Sequence, residues 1–218
     1  MIGETVYKLY YYPGNANLAP HMLLEELGVN YELVLVDRET NAQKSPEYLK
    51  LNPNGRVPTL IDGELVLYEA AAICLHLVDR HPEAGLAPAV GSAERAEFYK
   101  WLVYLTNTLQ AELMTYFYPE RLIDDKAGAS QVKTHAEARV GGMLDLIEDA
   151  LASHGGSYLL GARYSAVDPY LLMLSRWTRM MKNPARNRLH LGGYLERLVA
   201  RPAIQRTFAG EGLAAPLF

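Results

Sequence analysis

The sequence predicts an α/β unit followed by an all-helical one, and three observations carry that prediction. From Val6 to Arg80 the hydrophobic period switches between two and 3.6 residues, in the order β-α-β-α-β-β-α. The stretch 82–91 then interrupts the pattern with Pro82, Gly85, Pro88 and Gly91. Beyond it, every periodic segment has helical spacing. The chain is therefore expected to hold an α/β domain over 1–81, a linker over 82–91 and a helical domain over 92–218.

Each element has a local reason. Residues 6–11 alternate as a strand and end at Pro13-Gly14. Residues 15–28 fit a helix through Leu18, His21, Met22, Leu24, Glu25 and Leu27, with Gly28 as its stop. Residues 31–37 alternate as a second strand. Residues 45–50 read as a short helix with Pro46 in its first turn. Residues 59–61 and 65–68 flank Asp62-Gly63-Glu64, a hairpin signal. Residues 69–80 form a helix that stops before His81-Pro82. In the second half, helices are expected over 92–121, 130–154, 165–181, 191–200 and 202–208, the second stopped by Gly155-Gly156.

Composition narrows the function. A net charge of −4 gives no global basic field for nucleic acid or an anionic membrane. No apolar run approaches a membrane span, and residues 1–12 lack the pattern of a secretory signal. The single cysteine, Cys74, rules out an internal disulfide framework and fits a reducing cytoplasm. It lies in the apolar stretch 70–77 and reads as a small buried hydrophobe. Six histidines are scattered without metal-ligand spacing, so no metal is expected. Fifteen tyrosines against four phenylalanines suit half-wet ligand clefts, because tyrosine is apolar in body and polar at its tip.

The most informative segment is Asn-Gly-Arg-Val-Pro-Thr-Leu at 54–60, just before a strand. Pro58 has no N–H for a ladder, but it adopts the cis isomer at modest cost. A cis-Pro58 turns the Val57 backbone outward, leaving its N–H and C=O free to pair with an extended peptide. Glu69-Ala70 then opens the next helix. Its unpaired N–H groups favour a carboxylate, and the Glu69 side chain can meet an ammonium. These are parts of a site for a small peptide bearing both charges.

Taken together, the motifs resemble the cytosolic glutathione S-transferases, in their bacterial beta-like branch. The carriers are Lys-Leu-Tyr-Tyr-Tyr-Pro-Gly at 8–14, Leu-Ala-Pro-His at 18–21, Asn-Pro-Asn-Gly-Arg-Val-Pro-Thr-Leu at 52–60 and Tyr-Glu-Ala at 68–70. Tyr-Ser-Ala-Val-Asp-Pro-Tyr-Leu at 164–171 and Arg176-Trp177 continue them. The resemblance covers essentially the whole chain. It implies a thioredoxin-like domain followed by a helical bundle, a homodimer, glutathione as co-substrate and attack of its thiol on a small hydrophobic electrophile in a detoxification reaction. Val57 would pair with the cysteinyl unit, and Glu69 would hold the γ-glutamyl ammonium. The Ala70 N–H would hold the γ-glutamyl carboxylate without the serine hydroxyl usual there. Arg56 would lie near the glycyl carboxylate.

The catalytic turn departs from the family. Beta-like members carry cysteine then serine where this chain has Ala16 and Asn17. A mixed disulfide with glutathione at that position is impossible. A thiolate is the nucleophile, so a hydrogen-bond donor near the sulfur is needed. The candidates rank Asn17, Asn15, then Tyr12, with Tyr10 and Tyr11 also in reach. The electrophile pocket is expected between the two domains, from Tyr104, Gln110, Met114, Tyr116 and Tyr118 on the long helix and from Trp177 and Met181. Gln110 stands where beta-like members often have histidine. Ser165 and Asp168 form a Ser-x-x-Asp cap that is structural rather than catalytic. His21 is read as a packing or hydrogen-bonding residue.

Two other functions share these features. A glutathione-dependent disulfide reductase or peroxidase uses the same fold. A noncatalytic interaction module also does, though Val57-Pro58 and Glu69 argue against it.

Overall fold

The computed structural model describes residues 6–218, which divide into two compact units. The first runs to Ala87 and takes back Val199–Ala215, and the second holds Pro88–Leu198 and Pro216–Phe218. The expected helical domain ran through to 218, whereas residues 199–215 pack with the α/β unit. Their partners there lie far away in sequence, as Asn17 does from Glu211, so no local pattern announces them.

In the first unit β1 (Tyr7–Tyr11), α1 (Leu18–Leu27), β2 (Tyr31–Leu35), α2 (Pro46–Leu51), β3 (Thr59–Asp62), β4 (Leu65–Tyr68) and α3 (Ala70–Arg80) follow the expected order. β1 pairs parallel with β2 and antiparallel with β3, and β3 pairs antiparallel with β4, giving the order β2-β1-β3-β4. This is a thioredoxin-like unit. Its boundaries follow local chemistry. Gly28 adopts φ 64° and donates its N–H to the Leu24 carbonyl, ending α1. The Ser45 hydroxyl oxygen accepts from the Tyr48 N–H ahead of Pro46, starting α2. Leu9, Leu23, Leu60, Ile73 and Leu77 are fully buried beneath these elements. Each such side chain contributes about 1.5–3 kcal/mol by leaving water.

The second unit is helical: α4 (Ala93–Val103), α5 (Ala111–Phe117), α6 (Lys126–His154), α7 (Val167–Trp177) and α8 (Leu189–Val199). The helix expected over 92–121 is not uniform. A π-helical segment, Tyr104–Gln110, joins α4 to α5, and a 3-10 turn, Pro119–Arg121, follows. Neither glycine nor proline marks the π segment in the sequence. α6 begins earlier than its apolar pattern because the Asp125 carboxylate accepts from the Gly128 N–H at 2.6 Å. The last helix, α9 (Pro202–Gly210), belongs to the first unit and packs on α1. Among the described residues no helix is long and apolar enough to cross a membrane.

Candidate functional site

Sheet register gathers the expected glutathione residues at one end of the first unit. Thr59 pairs with Tyr68 on one side and Tyr10 on the other. Continuing that register places Pro58 opposite Glu69 and Val57 opposite Ala70, with Tyr11 and Tyr12 on the β1 side. β2 runs parallel to β1, so the chain after Leu35 leaves at this same end.

The Val57–Pro58 peptide is cis. Among the described residues, neither the N–H nor the C=O of Val57 has a protein partner. The loop before it is pinned. The Tyr48 hydroxyl and Asn52 Nδ2 both donate to the Arg56 carbonyl, at 2.7 and 2.8 Å. Gly55 sits at φ 59°, where a Cβ would come 2.7 Å from Lys44 Nζ and 2.9 Å from the Gln43 carbonyl oxygen. Glycine is needed there on both counts. Arg56 is exposed, with no side-chain partner among the described residues.

Glu69 adopts φ 73°, one of two non-glycine residues at positive φ among those described. Such a backbone costs about 1–3 kcal/mol and is characteristic of ligand-holding positions. Its side chain is exposed and meets no other described residue, while Ala70 is buried at the start of α3. A free carboxylate thus stands beside a helix N-terminus, with two unpaired backbone groups across the hairpin.

The turn between β1 and α1 differs from the expected arrangement. Asn17, ranked first as the thiol donor, is fully buried. Its Oδ1 accepts from the Tyr12 N–H at 3.2 Å, and its Nδ2 donates to Glu211 Oε1 at 2.9 Å. It braces the turn from inside. Glu211 also accepts from the Gly14 N–H at 2.8 Å through Oε2 and lies 2.8 Å from His21 Nδ1 through Oε1. His21 Nε2 is 3.0 Å from the Tyr31 hydroxyl, which donates to Glu25. Arg206 Nε in α9 donates to Glu25 Oε2 at 2.6 Å. His21 therefore has the hydrogen-bonding role expected of it.

Asn15 remains as a donor. Its Oδ1 accepts from Arg38 Nη1 at 2.6 Å and its Nδ2 donates to the Pro13 carbonyl at 3.2 Å, leaving one amide hydrogen. The Tyr12 hydroxyl donates to Glu39 Oε1 at 3.4 Å. Partial burial and then the Glu39 and Asp37 charges push this phenol up, so it stays protonated. The Tyr10 ring packs against Tyr48, 5.8 Å between centroids. Sequence reasoning missed Glu211 and Arg38. Glu211 has no local signal, whereas Arg38 was findable from its place after a strand expected beside the first.

In the second unit, the Tyr104 hydroxyl donates to the Met143 carbonyl of α6 at 3.0 Å, so its polar tip is occupied. Met114 and Trp177 are both partly exposed, and Trp177 meets Phe117 edge-on at 6.5 Å. Tyr116 is largely buried, with Lys133 over its ring, and Met181 is buried. The Ser165–Asp168 pair is fully buried. Asp168 accepts from the N–H groups of Leu159 and Ser165 at 2.9 and 2.7 Å, and from the Tyr194 hydroxyl at 2.8 Å. The Ser165 hydroxyl adds a fourth donor at 3.3 Å. Burial pushes the Asp168 carboxyl up to about 6 against these four donors. Cys74 is fully buried and its thiol is pushed up by that burial. Among the described residues, no three His, Cys, Asp or Glu side chains converge as metal ligands would.

Comparison with known proteins shows the family. Residues 5–79 match the family model for the glutathione S-transferase N-terminal domain. Glutathione S-transferase 3 of Zea mays is 32% identical, over 96% of each chain. The crystal structure of a glutathione transferase from Methylococcus capsulatus is 36% identical with a TM-score of 0.84, covering 96% of this chain and all of that one. A glutathione transferase homologue from Sulfitobacter, solved with bound glutathione, is 25% identical with a TM-score of 0.87, covering 96% of this chain and all of that one. The chain belongs to the glutathione S-transferase family.

Proposed function

We propose that this transferase binds glutathione along the open end of the β3–β4 hairpin. The observation that carries the reading is the register that sets Val57-Pro58 opposite Glu69-Ala70, with the Val57 backbone unpaired and the Glu69 carboxylate free. Val57 pairs with the cysteinyl unit, Glu69 takes the γ-glutamyl ammonium, and the Ala70 N–H takes the adjoining carboxylate. Arg56 meets the glycyl carboxylate. The thiol faces the turn, where Asn15 supplies the donor and Tyr12 follows it. Asn17 supports that turn from within. The electrophile is small and apolar and lies against Met114 and Trp177. The protein works as a homodimer, in a reducing cytoplasm. Disulfide reduction is not favoured, because the sole cysteine is buried in α3 with its thiol protonated.

Calorimetry with glutathione tests the assignment. Glu69→Ala leaves the ligand ammonium unpaired and weakens binding by about 1.5–3 kcal/mol, the range for a hydrogen bond to a charged group. Unchanged affinity would remove Glu69 from the site. Titrating the bound thiol in Asn15→Ala and Tyr12→Phe then decides which side chain holds the sulfur. Light scattering at micromolar concentration tests the dimer.

A further inference from the structure

The second unit holds a cleft of about 300 Å³ that the glutathione site does not use. It lies between the first turns of α4, the end of α6 and the turn that follows, and every residue lining it belongs to this unit. Local bonds fix its wall. α6 stops at Gly155, whose N–H donates to the Leu151 carbonyl. The chain then folds back, with the Tyr158 and Gly161 backbones bonded to each other at 2.8 and 2.9 Å. Asp168 holds the Leu159 N–H at 2.9 Å. Leu159 and Leu160 thereby join Trp101 as the apolar part of the lining. Trp101 is only 6% exposed. A buried indole ordinarily spends its N–H on an acceptor. This one has no acceptor among the described residues and is not sealed from solvent, so it opens on the cleft that the ring lines. His154 accepts the Gly156 N–H through Nδ1 at 2.9 Å, which leaves Nε2 as a second donor at the exposed rim. The charges are unbalanced as well. Glu97 pairs with Lys100, whose Nζ lies 5.0 Å from the centre of the Trp101 ring. Glu94 has no ion-pair partner among the described residues, so the lining keeps one unmatched carboxylate.

We propose that this cleft binds a small aromatic amine, protonated at one end and bearing a hydrogen-bond acceptor at the other. The ammonium meets Glu94, the carboxylate that ion pairing leaves over. The aromatic body packs on Trp101, Leu159 and Leu160. The acceptor takes the Trp101 N–H, a group that can only donate. Glu94 and Trp101 are seven residues apart on α4, which is about 10 Å along the helix axis. One benzene ring with a short amine arm and a para acceptor reaches across that span once a hydrogen bond is added at each end. The volume suits such a ligand, since it lies at the small end of the range for sites that enclose small molecules. An anion of the same shape would bring its charge to Glu94 and is rejected. An amine without the acceptor leaves the indole N–H unspent.

Heteronuclear NMR on the full chain tests this with para-methoxyphenethylamine as the probe. The protein has two tryptophans, so the Trp101 indole N–H signal is identified by Trp101→Phe, or through Trp177→Phe by elimination where the first variant does not fold. In wild type that signal moves downfield as the probe is added. Phenethylamine, which lacks the acceptor, binds about tenfold more weakly, the worth of one hydrogen bond, and leaves the signal without the downfield shift. The anion para-methoxyphenylpropanoate does not bind. Glu94→Gln, a substitution at an exposed position, weakens the methoxy amine about threefold, as expected for an exposed ion pair. Trp101→Phe brings its affinity down to that of phenethylamine. Glu69→Ala changes neither amine. An indole signal that does not respond to the methoxy amine, or an anion that binds as well as the amine, overturns the assignment. Amine binding that is unchanged in Glu94→Gln and lost in Glu69→Ala also overturns it, because the probe then occupies the glutathione site.

Discussion

Glu211 in the first unit and Asp168 in the second are both buried carboxylates crowded by donors, yet they do different work. Asp168 gathers four donors from residues 159–168 and Tyr194 to fix the start of α7. Three of the four belong to its immediate chain neighbourhood. Glu211 gathers the Gly14 N–H, the Asn17 amide and the His21 ring, all from the β1–α1 turn and the first turn of α1, across 190 or more positions of sequence. Asp168 stabilises its own local structure. Glu211 carries the position of α9 and the segment after it into the β1–α1 turn. A buried carboxylate is costly to desolvate and persists where its donors are well placed. The two residues show that one chemical solution serves a local cap and a long-range brace.

The largest effect is expected at Asp168. Asp168→Ala leaves four buried donors without an acceptor, and removing one partner from such an arrangement costs about 3–5 kcal/mol. For a chain of this length that is a fall of roughly 10 °C in melting temperature, measurable by calorimetry. The comparison predicts that glutathione affinity in the folded fraction is unchanged. A loss of affinity together with a normal melting temperature would give Asp168 a role in the site and remove the contrast with Glu211.

Glu211 is expected to come next. Glu211→Gln keeps the volume but turns one acceptor oxygen into an NH2 group, which then faces Gly14 N–H or the Asn17 and His21 donors. One buried donor left unmet costs about 1–3 kcal/mol. The diagnostic is that stability and site move together. The melting temperature falls by less than in Asp168→Ala, and the bound thiol titrates at a different pH because the Asn15 turn has lost its brace. A stable variant with an unaltered thiol titration breaks the link between α9 and the turn.

This contrast also explains what the sequence revealed. Ser165 and Asp168 were legible because a cap is written within one helical turn. The β3–β4 hairpin was legible because Asp62-Gly63-Glu64 marks its turn, but its register was not, because Asp62 belongs to β3 and pairs with Leu65 across the two-residue loop Gly63-Glu64. Nothing near Asn17 in sequence shows that Glu211 consumes its amide. A turn asparagine before a helix looks alike whether it faces substrate or core, so the ranking of Asn17 above Asn15 could not be settled by pattern. The π segment was hidden for a related reason. It carries helix-compatible residues, and the partners of its two ends, Met143 in α6 for Tyr104 and Tyr170 in α7 for Gln110, lie far away in sequence.

The smallest expected effect concerns acid, and it sharpens the contrast through carboxylates of opposite sign. Burial pushes Glu25 up, but the Tyr31 hydroxyl and the Arg206 guanidinium outweigh it and hold the carboxyl below its ordinary value of 4.5. Glu148 behaves alike, with burial outweighed by the His190 and Leu191 N–H groups and the His190 ring. A carboxyl lowered on folding stabilises above its unfolded value, and that stabilisation is lost as pH falls through the folded one. Asp168 runs the other way. The folded form takes up a proton between 3.8 and about 6, so this group's contribution is full below 3.8 and declines as pH rises through that window. Melting temperature followed from pH 7 to pH 3 separates the two behaviours. Glu25→Gln and Glu148→Gln each remove part of the wild-type decline below about pH 4.5, one acting in the first unit and one in the second. Asp168→Ala instead leaves that acid decline in place, and its deficit against wild type narrows as pH rises from 4 to 6. An acid decline untouched by both glutamate variants would mean that neither the Arg206–Glu25 pair nor the Glu148 cap of α8 sets it. A deficit in Asp168→Ala that widens with rising pH would reverse the sign assigned to the buried aspartate.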